Sequence, residues 1–144
     1  MRRLLLSLIL ICAAAPAVAA YPSIGNAWLR LVPGQTTGAG YMVIENKNDA
    51  PVTLTSVTSA CCTAIEMHEM LMDGDNMQMR QVQAVEVPAH GSVKFESMGY
   101  HLMFIGLTKP PHNKDTVTAM LHFSDGSDIP VGFTVKLVSH GDME

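Results

Sequence analysis

Ten short runs rich in Val, Ile, Thr, Met and Phe recur along the 144-residue chain, and Gly, Pro, Asn and Asp separate them. Almost no stretch shows the hydrophobic period of an amphipathic helix, so the pattern favours strands throughout. Strands at this spacing, with no helix between them, are typical of an antiparallel β-sandwich or barrel. The predicted strands are residues 27–32, 40–46, 52–58, 64–72, 77–81, 85–87, 92–96, 101–107, 116–123 and 129–137.

The first twenty residues have the pattern of an export signal. Arg2 and Arg3 form a basic start, residues 4–15 are apolar, and small residues at 17–20 suit cleavage. Pro16 interrupts the apolar run, which is too short for a membrane span of about twenty residues. The predicted organisation is a signal peptide at 1–20, a β-sandwich domain at 21–138 and a short tail at 139–144. We therefore expect a protein of a bacterial periplasm, with no membrane span in its mature form.

Composition and charge exclude two classes of protein. Hydrophobic residues make up 48% of the chain, which is enough for a core and excludes a wholly disordered protein. The formal net charge is −4 and Lys and Arg together number nine, so the chain has no basic patch for nucleic acid. The length fits one domain, and we expect a monomer.

The cysteines do not form a disulfide framework. Cys12 lies in the predicted signal, and the large Ile11 before it does not suit lipid attachment. Cys61 and Cys62 are adjacent, and neighbours in sequence rarely bridge because the joining ring is strained. An apolar core must therefore hold the domain together. The pair is open to several interpretations: a redox switch, an intermolecular link, soft-metal ligands, or one buried and one exposed thiol.

Methionine is concentrated in one quarter of the chain, and His68 and His101 lie in the same segment. Any single Met can be explained as core filling, and a lone His as a hydrogen-bonded structural residue. Their joint arrangement therefore carries more information than any one of them. The methionines of this segment are Met67, Met70, Met72, Met77, Met79, Met98 and Met103.

A hairpin is predicted around Asp73-Gly74, a strong turn signal between two strand-like runs. If these two residues form the turn, His68 directly faces Met79. If the loop instead comprises the four residues from Asp73, Met70 faces Met79 and His68 is its diagonal neighbour on the same face. Only a loop of odd length would place Met79 on the other face, so two of the three turns considered bring an imidazole and a thioether together.

His101 and Met103 are two residues apart, so a strand also places them on one face. Together with His68 and Met79 they would give two nitrogen and two sulfur donors, all uncharged. Thioethers are soft ligands that do not suit Mg²⁺, Ca²⁺ or structural Zn²⁺, whereas copper(I) accepts a mixed His/Met set. Thioethers also carry no proton and survive in an oxidising compartment, where thiols are lost to disulfides. The residues therefore predict a copper(I) site.

The spacing of these four residues, H-x10-M-x21-H-x-M, resembles that of the periplasmic copper(I) chaperones of the PCu(A)C (PCuAC) family. These proteins supply copper to the dinuclear centre of cytochrome c oxidase. Further similar segments extend the resemblance over nearly the whole predicted mature chain. They are Ala27-Trp28, Gly40-Tyr41-Met42, Met67-His68-Glu69, Gly99-Tyr100-His101-Leu102-Met103 and His122-Phe123.

The resemblance implies a cupredoxin-like antiparallel β-sandwich of Greek-key type, with a solvent-accessible copper(I) site. It assigns the ligands as His68, Met79, His101 and Met103. It implies a carrier and not an enzyme, with a copper-acceptor protein as partner, either cytochrome c oxidase subunit II or another copper chaperone. Adjacent cysteines are not part of the family pattern, and the short tail offers only His140 and Met143 for a second site.

Other classes remain as alternatives at this point. A blue-copper electron carrier needs His₂Cys ligation with a weak axial Met, but here the only cysteines of the predicted mature chain precede His68. A thiol–disulfide oxidoreductase would work through Cys61 and Cys62 without a Cys-x-x-Cys motif. A copper storage or resistance protein and a protein-binding sandwich with a Met-rich core are the remaining candidates.

Overall fold

The computed structural model describes residues 19–139, and these residues form ten β-strands with no helix. The predicted all-β class is therefore confirmed, and each predicted strand overlaps one observed strand. Most of the predicted signal peptide, with Cys12, and the tail residues His140 and Met143 lie outside the described part. The strands are β1 (Ser23–Leu31), β2 (Thr37–Glu45), β3 (Val52–Thr58), β4 (Cys62–Asp73), β5 (Asn76–Val82), β6 (Val85–Val87), β7 (Ser92–Phe95), β8 (Tyr100–Leu107), β9 (Thr116–Phe123) and β10 (Asp128–Leu137).

All ten strands belong to one sheet, in the order β5-β4-β8-β7-β2-β1-β10-β9-β3-β6. One part of β2, residues 37–40, also pairs with β8, while residues 42–45 pair with β7. Most neighbours are antiparallel, as predicted, but β1 and β10 are parallel and a single parallel pair joins β7 to β8. A parallel pair needs a long connection, which between β1 and β10 is the rest of the domain.

The sheet curves around a single apolar core. Phe104 of β8 and Phe133 of β10 meet edge to face, with ring centroids 5.3 Å apart. Counted through the direct pairing of β8 with β2, their strands are three places apart, which is about 14 Å along a flat sheet, so this contact requires the sheet to bend over the core. Core side chains alternate with outward ones, as the period of a strand demands. In β8, Leu102 and Phe104 are fully buried in the core while His101 and Met103 face the other way.

Gly106 interrupts this alternation near the end of β8. Its φ of +70° is a conformation that L side chains rarely adopt, and a Cβ there would lie 2.5 Å from Thr63 Oγ1. Leu107, the next residue, is buried in the core, although alternation from His101 and Met103 would place it on the outward face. The face that carries His101 and Met103 therefore ends at Ile105. In the described part of the chain, no helix is long and apolar enough to cross a membrane.

Candidate metal centre

The β4–β5 hairpin fixes the first part of the candidate centre. Asp73 pairs with Asn76, so the two turn residues are Gly74 and Asp75, one position later than Asp73-Gly74. Gly74 has φ +63° and Asp75 is not among the residues with positive φ, the sign pattern of a type II′ turn. Met70 consequently faces Met79. The register of the longer-loop alternative is the observed one, and the prediction that His68 directly faces Met79 is wrong.

The pairing of β4 with β8 brings the two histidines together. His68 is the direct partner of His101, and their ring centroids are 5.7 Å apart at an interplanar angle of 55°. The same register places Glu66 directly opposite Met103. Directly opposed residues of antiparallel strands point to the same side, so all four share the outward face.

Met79 contacts the imidazole ring of His101. Its Sδ lies 3.3 Å from His101 Nε2, across strands that are not neighbours in the sheet. The structure thus brings His68, Met79 and His101 into one cluster. Met103 lies on the same face, two residues along β8, where it is half-buried and also lines a shallow depression with Arg30 and Tyr41.

Hydrogen bonds indicate which ring nitrogens are free to bind a metal. His101 Nδ1 lies 3.3 Å from the Gly99 carbonyl oxygen, which can only accept, so Nδ1–H donates and Nε2 keeps its lone pair. His68 Nε2 lies 2.8 Å from Glu66 Oε2. An ionised carboxylate also only accepts, so His68 carries its proton on Nε2. His68 Nδ1 is buried and has no hydrogen-bond partner, which leaves its lone pair unused.

Burial also favours the neutral form of the second imidazole. His101 is 5% exposed, and this desolvation lowers its pKa below the ordinary value. The Gly99 carbonyl opposes the shift, and the nearby His68 adds to it. A lowered pKa keeps the Nε2 lone pair of His101 available in mildly acidic solution.

The adjacent cysteines lie away from this cluster. Cys61 and Cys62 are free, half-buried thiols packed against the core. Burial raises the pKa of Cys62 to about 12, and the hydrogen bond and charge of Cys61 act in the same direction. Cys62 precedes His68 by six residues on β4, which is about 20 Å along a strand. The thiols are therefore too distant to join His68 and His101 around one ion.

The other histidines in the described part of the chain have other partners. His90 contacts Asp49, His112 contacts Asp115, and His122 contacts both Asp128 and Thr58. Within residues 19–139, no group of three or more His, Cys, Asp or Glu side chains has an arrangement that could hold a metal ion.

Glu66 is a residue of the candidate site that was not predicted from the sequence. It precedes His68 by two positions on a strand, so it shares the same face, and this spacing was the available signal. The sequence could not show that its carboxylate contacts His68, because that depends on the side-chain conformations of both residues.

The amino-acid sequence matches a protein family and a known relative over most of the described strands. The family model LpqE-like, described as "Putative lipoprotein LpqE-like", matches residues 23–135. The protein "Putative lipoprotein Lxx21020" of Leifsonia xyli subsp. xyli is 25% identical over 114 residues, which are 78% of this chain and 68% of the relative.

Two solved structures are similar over most of the chain. The "Copper-bound PCuAC domain from PmoF2" has a TM-score of 0.72 at 20% identity, covering 85% of this chain and 97% of that domain. The copper(I) form of DR1885 from Deinococcus radiodurans has a TM-score of 0.62 at 29% identity, covering 87% of this chain and 81% of its own. Since the family model spans nearly all of the ten-stranded sheet, the chain belongs to the LpqE-like family.

Proposed function

We propose that this protein is a periplasmic copper(I) carrier that holds one ion between His68, Met79, His101 and Met103. The observation that carries the proposal is the contact of Met79 Sδ with His101 Nε2, 3.3 Å apart, beside the paired ring of His68. A soft sulfur atom and an imidazole lone pair then lie next to each other on the outward face of the sheet.

The donor set supports a soft univalent ion. His68 offers Nδ1 and His101 offers Nε2, while Met79 and Met103 offer thioether sulfurs, so none of the four ligands is charged. Such a set favours copper(I) over copper(II), because no ligand anion balances the second charge. The nearby carboxylate of Glu66 is engaged with His68 Nε2.

The comparisons support the same ion. Two similar structures are of copper-bound proteins, and one of them, at 29% identity, is a copper(I) form. Both the matched family and the Leifsonia relative are named lipoproteins, a class of exported proteins, which supports export of this chain. The signal peptide at 1–20, the domain at 21–138 and the tail at 139–144 are part of the proposal.

Delivery to an acceptor protein is the role that we propose for the bound ion. The PCu(A)C resemblance suggests the dinuclear copper centre of cytochrome c oxidase as the destination, reached directly or through another copper chaperone. The protein would act as a carrier and catalyse no reaction. Storage of copper for resistance would use the same ligands. Delivery is favoured over storage if an acceptor protein, mixed with the loaded carrier, removes copper(I) from it.

The decisive experiment is anaerobic loading of the mature protein with copper(I), followed by X-ray absorption at the copper edge. We expect one tightly bound ion with two sulfur and two nitrogen neighbours. His68→Ala and Met103→Ala should weaken binding far more than Met120→Ala, a change on β9, which lies across the sheet from β4 and β8. Equal losses in all three variants, or no stoichiometric copper in the wild type, would show that the assignment is wrong.

A further inference from the structure

The tip of the β4–β5 hairpin carries four methionines on one face. Met70 is paired with Met79, and Met72 is paired with Met77. Paired residues point to the same side, and residues two apart on one strand do so as well. We call these four residues the thioether square. Met79 is its corner nearest His101, and Met72 and Met77 are its outer edge, next to the turn.

The spacing suits a shared ion. Side chains of directly opposed residues start about 5 Å apart, and those two residues apart on one strand about 7 Å apart. A Met side chain has three rotatable bonds, so sulfurs at these positions can turn towards a common point. Met70, Met72 and Met77 therefore offer three soft donors without help from either histidine.

The exposure of these residues is unusual for apolar side chains. Met72 is 66% exposed, Met77 43% and Met79 54%, and β5 is an edge strand of the sheet. Exposed apolar side chains on an edge strand favour aggregation, so proteins normally place charges there. On the hairpin, the charged pair of Arg80 and Glu69 lies on the opposite face, where Arg80 Nη2 is 2.9 Å from Glu69 Oε2.

The turn adds negative charge beside the outer edge of the square. Asp73 and Asp75 are exposed and lie immediately before and within the turn, next to Met72 and Met77. Arg80, the nearest cation along β5, is paired with Glu69 on the other face. The local charge therefore attracts cations, and the thioethers select soft ones.

We propose that Met70, Met72 and Met77 form a second site for a soft univalent metal ion, copper(I) or silver(I), at the hairpin tip. It binds more weakly than the four-residue centre because it lacks imidazole ligands and is more open to water. Binding at the tip does not depend on the proposed function. Passage of the ion onward, by exchange of thioethers through Met79, does rest on it.

Silver(I) is a suitable probe because it is soft and does not change its oxidation state under the conditions of a titration. Every protein compared, including the reference called wild type below, carries Cys61→Ser/Cys62→Ser, because the two free thiols would also bind silver(I). We would count bound ions by mass spectrometry under non-denaturing conditions, and follow the methyl groups of ¹³C-labelled Met by NMR. The test variant is Met72→Leu/Met77→Leu, which keeps size and apolar character but removes both sulfurs. The matched control is Met98→Leu/Met120→Leu, since both residues lie outside the square.

We expect two silver(I) ions on the wild type and on the control, and one ion on the test variant. The methyl signals of Met72 and Met77 should shift only after the first equivalent. A test variant that binds as many ions as the wild type, whether one or two, overturns the second site.

His101→Ala separates this proposal from the proposed function. If it removes the tighter ion and leaves the hairpin ion, both proposals stand. If the wild type binds one ion, and His101→Ala removes it, the four-residue centre stands and the second site falls. If the single ion instead survives His101→Ala and is lost in Met72→Leu/Met77→Leu, the site at the tip stands and the proposed function falls.

Discussion

Replacement of Glu66 by Gln tests whether the carboxylate positions His68 for metal binding. Glu66 Oε2 lies 2.8 Å from His68 Nε2, and the imidazole is largely buried, with 13% of its side chain exposed. Gln keeps the size of the side chain but removes its charge. A ligand imidazole held by a carboxylate has a fixed orientation and a stronger lone pair on its other nitrogen.

The size of the effect follows from the hydrogen bond. Hydrogen bonds to charged groups contribute about 1.5–3 kcal/mol and neutral ones about 0.5–1.5 kcal/mol, so the substitution costs roughly 1–1.5 kcal/mol. The Glu66 side chain is 35% exposed, and solvent screening favours the lower end of this range. A loss of about 1 kcal/mol corresponds to an approximately fivefold weaker affinity for copper(I).

The assay is anaerobic competition with a colorimetric copper(I) chelator, with Glu69→Gln as the matched control. Glu69 is three residues further along β4, on the opposite face, and its partner is Arg80. A ¹⁵N–¹H correlation spectrum of the metal-free protein should show the His68 proton on Nε2. The reasoning fails if Glu66→Gln and Glu69→Gln bind copper(I) equally well, or if His68 carries its proton on Nδ1.

Three further predictions follow from the structure. Burial lowers the pKa of His101, so at pH values just below the ordinary pKa of histidine the unfolded chain binds more protons at this residue than the folded protein does. The free energy of unfolding of the metal-free protein should therefore fall as the pH drops below that value, and denaturation curves at several pH values should show a smaller fall for His101→Gln. Gly40→Ala should lower the free energy of unfolding, measured by urea denaturation, by about 1–3 kcal/mol, because the added Cβ would lie 2.6 Å from Phe104 Cε2. Gly25→Ala is the control, since a Cβ there meets nothing within 4 Å, and equal stabilities of the two variants would contradict the packing argument. Cys61→Ser/Cys62→Ser should leave the affinity for copper(I) unchanged, because the thiols are about 20 Å from His68 along β4; a tenfold loss would mean that a thiol joins the site.

The sequence allowed the strands and the shared face to be predicted because both depend on local chemistry. Turn residues such as Gly126 and Pro88 separate the strands, and alternation along a strand places His101 and Met103 together without knowledge of the fold. The same alternation places His68 and Met79 on one face with a loop of either even length, so the shift of the turn by one residue did not separate these two side chains.

The direct pairing of His68 with His101 could not be predicted, because it depends on the non-local choice of β8 as the neighbour of β4. The position of the turn was also ambiguous. Asp73, Gly74 and Asp75 all suit a turn, and only the pairing of the whole hairpin decides between the two registers. The parallel pairing of β1 with β10 is non-local in the same way.

The contrast between His101 and Met79 gives the proposed handover a direction. His101 is 5% exposed with the packed sheet behind it, whereas Met79 is 54% exposed at the rim. In the proposed transfer, a donor atom of the acceptor would approach the ion from the solvent side, where it would meet and replace Met79 first. The buried imidazole of His101 would dissociate from the metal last, so the depth of each proposed ligand would set the order in which the ligands are replaced.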